Sequence, residues 1–167
     1  YLLKYYNKYN ALNLPPDTVR VRTNDGNAPV KIFLTTYQTA TLVEGTTDVY
    51  DVYKSGTSFE GLLDGSTNVI EVLGGNTTDI TNMDSMFSGA DALISVALFD
   101  TSKVTNMTRM FHACKKLPTV PLFDTSNATN MHGMFETCDL ITSIPLFNTS
   151  NVTEMAFMFN YCLALTT

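Results

Sequence analysis

From its middle onward the chain repeats itself every 24 residues, and a period of that length confines it to architectures in which like units stack. Leu98-Phe99-Asp100-Thr101-Ser102-Lys103-Val104-Thr105-Asn106-Met107 returns as Leu122-Phe123-Asp124-Thr125-Ser126-Asn127-Ala128-Thr129-Asn130-Met131. It returns once more as Leu146-Phe147-Asn148-Thr149-Ser150-Asn151-Val152-Thr153-Glu154-Met155, and a weaker copy ends in Ile80-Thr81-Asn82-Met83. Aligned as columns, Met83, Met107, Met131 and Met155 coincide, as do Met86, Met110, Met134 and Met158, and Phe87, Phe111, Phe135 and Phe159. Ala90, Cys114, Cys138 and Cys162 share the next column, followed by Leu93, Leu117, Ile141 and Leu165. Other positions vary freely: Ser85, Arg109, Gly133 and Phe157 occupy one column. Constant apolar columns between variable ones are what a coil needs when its fixed side chains point inward and must be covered by the coils above and below.

Within one copy, Leu93-Ile94-Ser95-Val96-Ala97-Leu98 and Leu117-Pro118-Thr119-Val120-Pro121-Leu122 fit the strand signature L-x-x-L-x-L. Strand alternation predicts Val96 and Leu98 inside, with Ser95 and Ala97 outside. Pro121 and Pro145 lack a backbone donor, so these strands are expected to be short or irregular. Asp/Asn-Thr-Ser then forms a turn, and Met110-Phe111-x-x-Cys114 is expected as one tight helical turn. The fold class predicted is mainly β: a right-handed parallel solenoid of 24-residue coils, resembling leucine-rich repeats, with a small β-rich cap at its N-terminal end. Residues 68–167 would form about four coils, the last broken off at Thr167. A chain that starts Tyr1-Leu2-Leu3 and stops in mid-coil is taken as a piece of a longer or processed product.

The run from Phe123 to Cys138, Phe-Asp-Thr-Ser-Asn-x-Thr-Asn-Met-x-x-Met-Phe-x-x-Cys, resembles the BspA-like, Mycoplasma-type surface leucine-rich repeat. The resemblance covers about residues 68–167. It implies a secreted or surface-exposed recognition module of the kind found in bacterial adhesins and phage structural proteins. Two departures stand out: Thr101, Thr125 and Thr149 occupy the asparagine-ladder slot, and Gly74-Gly75-Asn76 replaces Leu-Phe-Asp/Asn in the first copy.

Residues 1–67 lack the repeat pattern. Leu2, Tyr5, Tyr6 and Tyr9 have helical spacing, so residues 1–14 are expected as a Tyr-rich arm or helix, stopped by Pro15-Pro16. Residues 15–67 are expected as the β-rich cap. Its elements would be a strand over Thr18–Arg22, a turn at Asn24–Asn27, a returning strand over Val30–Leu34, a second hairpin from Thr39 to Tyr53, and a short helix over Ser58–Leu63.

Side chains that could carry chemistry do not converge on a reaction. The Cys114, Cys138, Cys162 column has no fourth ligand for zinc, and Ala90 in the same slot fits packing, so inert buried thiols are expected. Asp100, Asp124 and Asn148 fit turn carboxylates and amides better than a calcium ladder. His112 and His132 sit in unlike columns that both face solvent, without a nucleophile partner. There is no G-x-S-x-G elbow and no phosphate-binding glycine loop. Five N-glycosylation patterns, at Asn76, Asn106, Asn127, Asn148 and Asn151, follow almost automatically from a repeat that sets Asn near Thr or Ser.

Charge narrows the function further. Lys and Arg number 10 against 16 Asp and Glu, a net charge of -6, which is the wrong sign for a nucleic-acid binder. No apolar run reaches the ~18 residues that span a bilayer. The expectation is therefore a non-catalytic, cofactor-free and metal-free recognition or adhesion module, extracellular on a bacterial cell or virion surface, binding a host protein or glycan. Candidate ligand-binding residues lie on two faces: Ser95, Ala97, Thr119 and Ser143, with Pro121 and Pro145, on the strand surface, and Arg109, His112, Lys115, Lys116, His132 and Phe157 on the other. The alternative is a structural virion component, a fibre, decoration or receptor-binding protein, assembled as a homo-oligomer through residues 1–14.

Overall fold

The computed structural model describes residues 14, 17–24, 26, 38–43, 46–54 and 56–166. The Tyr-rich arm expected over residues 1–14 (all but Leu14), Asp25 and Asn27 of the expected turn, and the Val30–Leu34 strand lie outside the described residues. The architecture is mainly β, with no helix among the described residues: β1 (Thr18–Thr23), β2 (Gln38–Leu42), β3 (Val49–Lys54), β4 (Val69–Asn76) and the two-residue β5 (Ser95–Val96). β1 to β4 form an open antiparallel sheet in the order β2-β3-β1-β4, and β5 adds to the β4 edge in parallel. β2 and β3 make the second hairpin foreseen in the sequence. In β1, Val19 and Val21 are fully buried while Arg20 and Arg22 turn to the other side. There Arg20 grips its cross-strand partner Asp51 with two bonds of 2.6 and 2.7 Å, and Arg22 reaches its partner Glu71 at 2.6 Å. Opposite charges set directly across a ladder fix strand register.

Below the sheet the copies are tied to one another. Isolated parallel bridges join Ser58 to Asn82, Asn82 to Asn106, Asn106 to Asn130 and Asn130 to Glu154, a step of 24 residues each time. In each copy four alternate amides donate to the next: Met83, Ser85, Phe87 and Gly89 bond the carbonyls of Asn106, Thr108, Met110 and His112 at 2.8–2.9 Å. Met107, Arg109, Phe111 and Ala113 do the same to Asn130, His132, Met134 and Glu136. The ladder begins at Ser58, so Phe59, Leu62 and Leu63 fall in line with Met83, Met86 and Phe87, and all are buried. Phe87, Phe111, Phe135 and Phe159 form a pile with ring centroids 5.3, 5.7 and 6.0 Å apart and planes within 14°. Met83, Met107 and Met131 are fully buried, and one core runs without interruption from Val19 in the sheet to Met158. Thr77, Thr101 and Thr125 share one column, each donating its hydroxyl to the carbonyl of Asp100, Asp124 or Asn148 in the next copy at 2.6–2.9 Å.

Three local expectations are corrected. The segments expected as helical, Ser58–Leu63 and Met110–Cys114, are successive tight turns. Two columns adopt left-handed backbone in every copy: Gly61, Ser85, Arg109, Gly133 and Phe157 have φ of 49–61°, and Gly65, Gly89, Ala113, Thr137 and Tyr161 have φ of 57–69°. A left-handed residue at every fourth position ends a helix before it completes a turn. Leu98, expected inside, is 40% exposed, and Leu122 and Leu146 are exposed with it. Their neighbours Phe99 and Phe123 are buried, with Phe147 packed against the core. Inward positions here recur every three residues (Leu93, Val96, Phe99), not every two, so the larger ring is buried and the leucine turns outward. β5 has no counterpart in later copies because its bonds need donors that proline lacks. Ile94 and Ala97 donate to Ile70 and Val72, but Pro118 and Pro121 occupy their places in the next copy.

Candidate functional site

The backbone that carries the Arg109 face is fixed twice over. Its amides are spent on the neighbouring copy, and its carbonyls at Met107, Arg109 and Phe111 close turns by accepting from Met110, His112 and Cys114. Side chains in the outward columns are therefore presented at set positions while their identity is free to change.

The structure brings Arg109, His132 and Phe157 together from three consecutive copies. Arg109 is exposed, and its amide donates to the His132 carbonyl at 2.8 Å. The Phe157 ring meets the His132 imidazole edge-on at 5.6 Å. His132 Nδ1 lies 3.5 Å from Glu154 Oε1. Gly133 is placed between Arg109 and Phe157 in the same column. A Cβ there would stand 3.1 Å from Glu136 Oε2 and 3.3 Å from Arg109 Cγ, so the missing side chain lets those two close over the backbone. Asn160 Nδ2 donates to Glu136 Oε1 at 3.0 Å. The Glu154 carboxyl is held below its ordinary range, first by the Ala156 amide it accepts and then by its bond to His132.

His112 is half-buried, as is His132, with Nδ1 3.3 Å from Ser88 Oγ. Lys115 and Lys116 are exposed, and among the described residues neither they nor Arg109 enters an ion pair. On the strand surface Ser95, Thr119 and Ser143 are exposed and Ala97, Pro121 and Pro145 half-buried. These residues lie in a different stretch of each copy from Arg109. The sequence reading counted Leu98, Leu122 and Leu146 among the inward columns, whereas all three are exposed. It also passed over Tyr161 and Leu163, which are 67% and 79% exposed. Column variability was the available signal for the last two, since Ala113 and Thr137 precede Tyr161, and Lys115 and Asp139 precede Leu163.

Each thiol of the Cys column donates to a carbonyl of the preceding copy: Cys114 to Phe87, Cys138 to Phe111 and Cys162 to Phe135, at 3.0–3.2 Å. Burial pushes Cys114 well up and Cys138 up to about 12, so neither is a thiolate near neutrality. Asp100, Asp124 and Asn148 accept the amides of Ser102, Ser126 and Ser150 at 2.9–3.0 Å, as turn residues do. Among the described residues no group of His, Cys, Asp and Glu is placed to hold a metal ion, and no helix is long and apolar enough to cross a membrane.

These features define a mainly β protein whose 24-residue copies interlock through parallel bridges and a shared core. The family model described as "Mycoplasma protein of unknown function, DUF285" matches residues 57–167, and the chain belongs to that family. The match starts at the residue before the first bridge, Ser58 to Asn82. No curated protein matches the chain. No solved structure matches it either.

Proposed function

We propose that the chain is a non-catalytic recognition module, a right-handed solenoid of the BspA-like leucine-rich-repeat kind, acting outside the cell on a bacterial or virion surface. Its ligand is a host protein or glycan. The observation that carries this reading is the contrast between columns. Met107, Met131, Phe111 and Phe135 are constant and wholly buried, whereas Arg109, Gly133 and Phe157 differ at one outward position on the same hydrogen-bonded backbone. A surface built that way can change its chemistry without disturbing its support. Exchanging Arg109, His132 and Phe157 together for Ser should abolish binding to whole cells, matrix proteins or arrayed glycans, while exchange of Ser95, Thr119 and Ser143 should not. Binding that survives the first exchange and fails with the second would move the site to the strand face. No binding to any member of that panel would remove the recognition reading.

The second reading, a structural virion component, draws support from the exposed Leu98, Leu122 and Leu146, an apolar line suited to packing against another subunit. Light scattering on the isolated chain separates the two. An oligomer lost on exchanging these leucines for Ser favours assembly, and a monomer that binds cells favours recognition.

A further inference from the structure

Resting on the recognition reading, we infer that the outward face of the double turns takes a protein segment in which a bulky apolar anchor is flanked by carboxylates. Along this face the same columns change chemistry. In one copy they hold Arg109 and Lys115, with Lys116 next in sequence, all exposed cations without an ion pair among the described residues. Two copies on they hold Phe157, Tyr161 and Leu163, exposed by 59, 67 and 79%, and Leu140 of the intervening copy is 50% exposed. Long side chains in the columns of Arg109 and Lys115 are exposed even where a copy lies on either side. Met155 and Phe159 are also exposed, but their counterparts Met131 and Phe135 are fully buried. Of the patch's counterparts with copies on both sides, the long side chains of Arg109, Lys115 and Lys116 are exposed and Ala113, Thr137 and Asp139 are half-buried, while only the small Gly133 and Ala92 are buried.

Phe157 and Tyr161 stand at φ of 61° and 58°, where Gly61 and Gly133, and Gly65 and Gly89, stand in other copies. A bulky residue is rare in that region, and it persists in these columns because bonds between copies hold the backbone. Aromatic and Arg side chains are also the groups that dominate protein interfaces. The two leucines separate a protein from a sugar as occupant: sugar rings stack on aromatic faces, whereas Leu140 and Leu163 add aliphatic surface that only another apolar side chain uses fully. The cations set the flank. At ~4.8 Å per copy they lie about 10 Å from the aromatics, the reach of three extended residues.

Labelled synthetic peptides with a Leu-Phe-Leu centre, flanked on either side by runs of Asp, Lys or Ser, test this by fluorescence anisotropy. The Asp-flanked peptides should bind at least about tenfold more tightly than the Lys-flanked ones. The double variant Phe157→Gly, Tyr161→Gly should lose at least about tenfold while folding normally, because glycine is native to both columns. Arg109→Glu with Lys116→Glu should reverse the flank preference. Equal binding of all flanks, undiminished binding by the double Gly variant, or binding only to sulfated or sialylated oligosaccharides would overturn the inference. If every peptide fails while cell or matrix binding persists and is lost with Ser95, Thr119 and Ser143, recognition stands and this partner falls. If that panel is silent too, both fall.

Discussion

Ala113 and Gly89 occupy the same left-handed column, and the structure assigns opposite signs to exchanging them. Ala113 holds φ 57° and Gly89 φ 69°. Both amides are bound to the next copy at 2.8 Å, so neither can relax by turning over. A Cβ on Gly89 would stand 3.4 Å from the Cα and N of Gly65, an ordinary contact, and the effect is therefore one of backbone conformation alone. A residue with a Cβ in this region costs about 1–2 kcal/mol. Ala in place of Gly returns about 0.4–1 kcal/mol by restricting the unfolded chain. Gly89→Ala should thus lose roughly 0.5–1 kcal/mol and Ala113→Gly gain a similar amount, each moving Tm by about 2 °C. The chain has no Trp, so urea unfolding followed by far-UV circular dichroism or Tyr emission is the assay. Loss of stability in Ala113→Gly, as an ordinary Ala→Gly exchange in regular structure would give, refutes the assignment of strain to this column.

Three further outcomes are expected. Phe123→Ala should cost about 3–5 kcal/mol and Leu122→Ser within roughly 0.5 kcal/mol, and the reverse order would restore the leucine to the interior. Thr125→Val leaves the Asn148 carbonyl without its hydroxyl donor and should cost about 1 kcal/mol, with no loss meaning that water replaces the bond. In thiol labelling, half-buried Cys162 should react first, with Cys114 and Cys138 reacting only on unfolding. Burial raises Cys138 from the usual 9.0 to about 12, so in that interval the unfolded chain has released a proton that the folded one keeps. Stability should therefore fall as pH rises from about 9 toward 12, by up to about 1.4 kcal/mol per unit for this thiol. In Cys138→Ala that component should vanish, and an unchanged alkaline slope would show that the thiol is not shielded.

Identity along the chain made the long-range part of the fold legible. Met83, Met107 and Met131, or Phe87, Phe111 and Phe135, could keep their identity only by stacking, and they do. What identity could not disclose was direction. Leu98, Leu122 and Leu146 are as constant as Phe99, Phe123 and Phe147, and only the three-residue spacing from Leu93 decides which of each pair turns inward. The left-handed columns were hidden for a related reason. Ser, Arg and Phe share one with Gly, so composition does not betray a conformation that the bonds between copies impose. Phe59, Leu62 and Leu63 escaped notice because their copy lacks the Asn-Met signature, although their spacing is that of Met83, Met86 and Phe87. Within the candidate site, Arg109, His132 and Phe157 were found because their columns vary. Tyr161, Leu163 and Leu140 vary equally but were passed over for the charged groups.

The direction of the bonds between copies carries an electrical consequence. The peptide unit joining Asn106 to Met107 receives a bond on its oxygen from the preceding copy and sends its hydrogen to the following one, as do the units ending at Arg109, Phe111 and Ala113. Four dipoles per copy, each about 3.5 D, thus point along the stacking axis. The Thr81–Asn82 unit runs against them. Instead of cancelling as they do in most sheets, they accumulate as they do in a helix. Each added copy lengthens a stack whose sheet-covered end carries the negative pole of these units and whose far end the positive one.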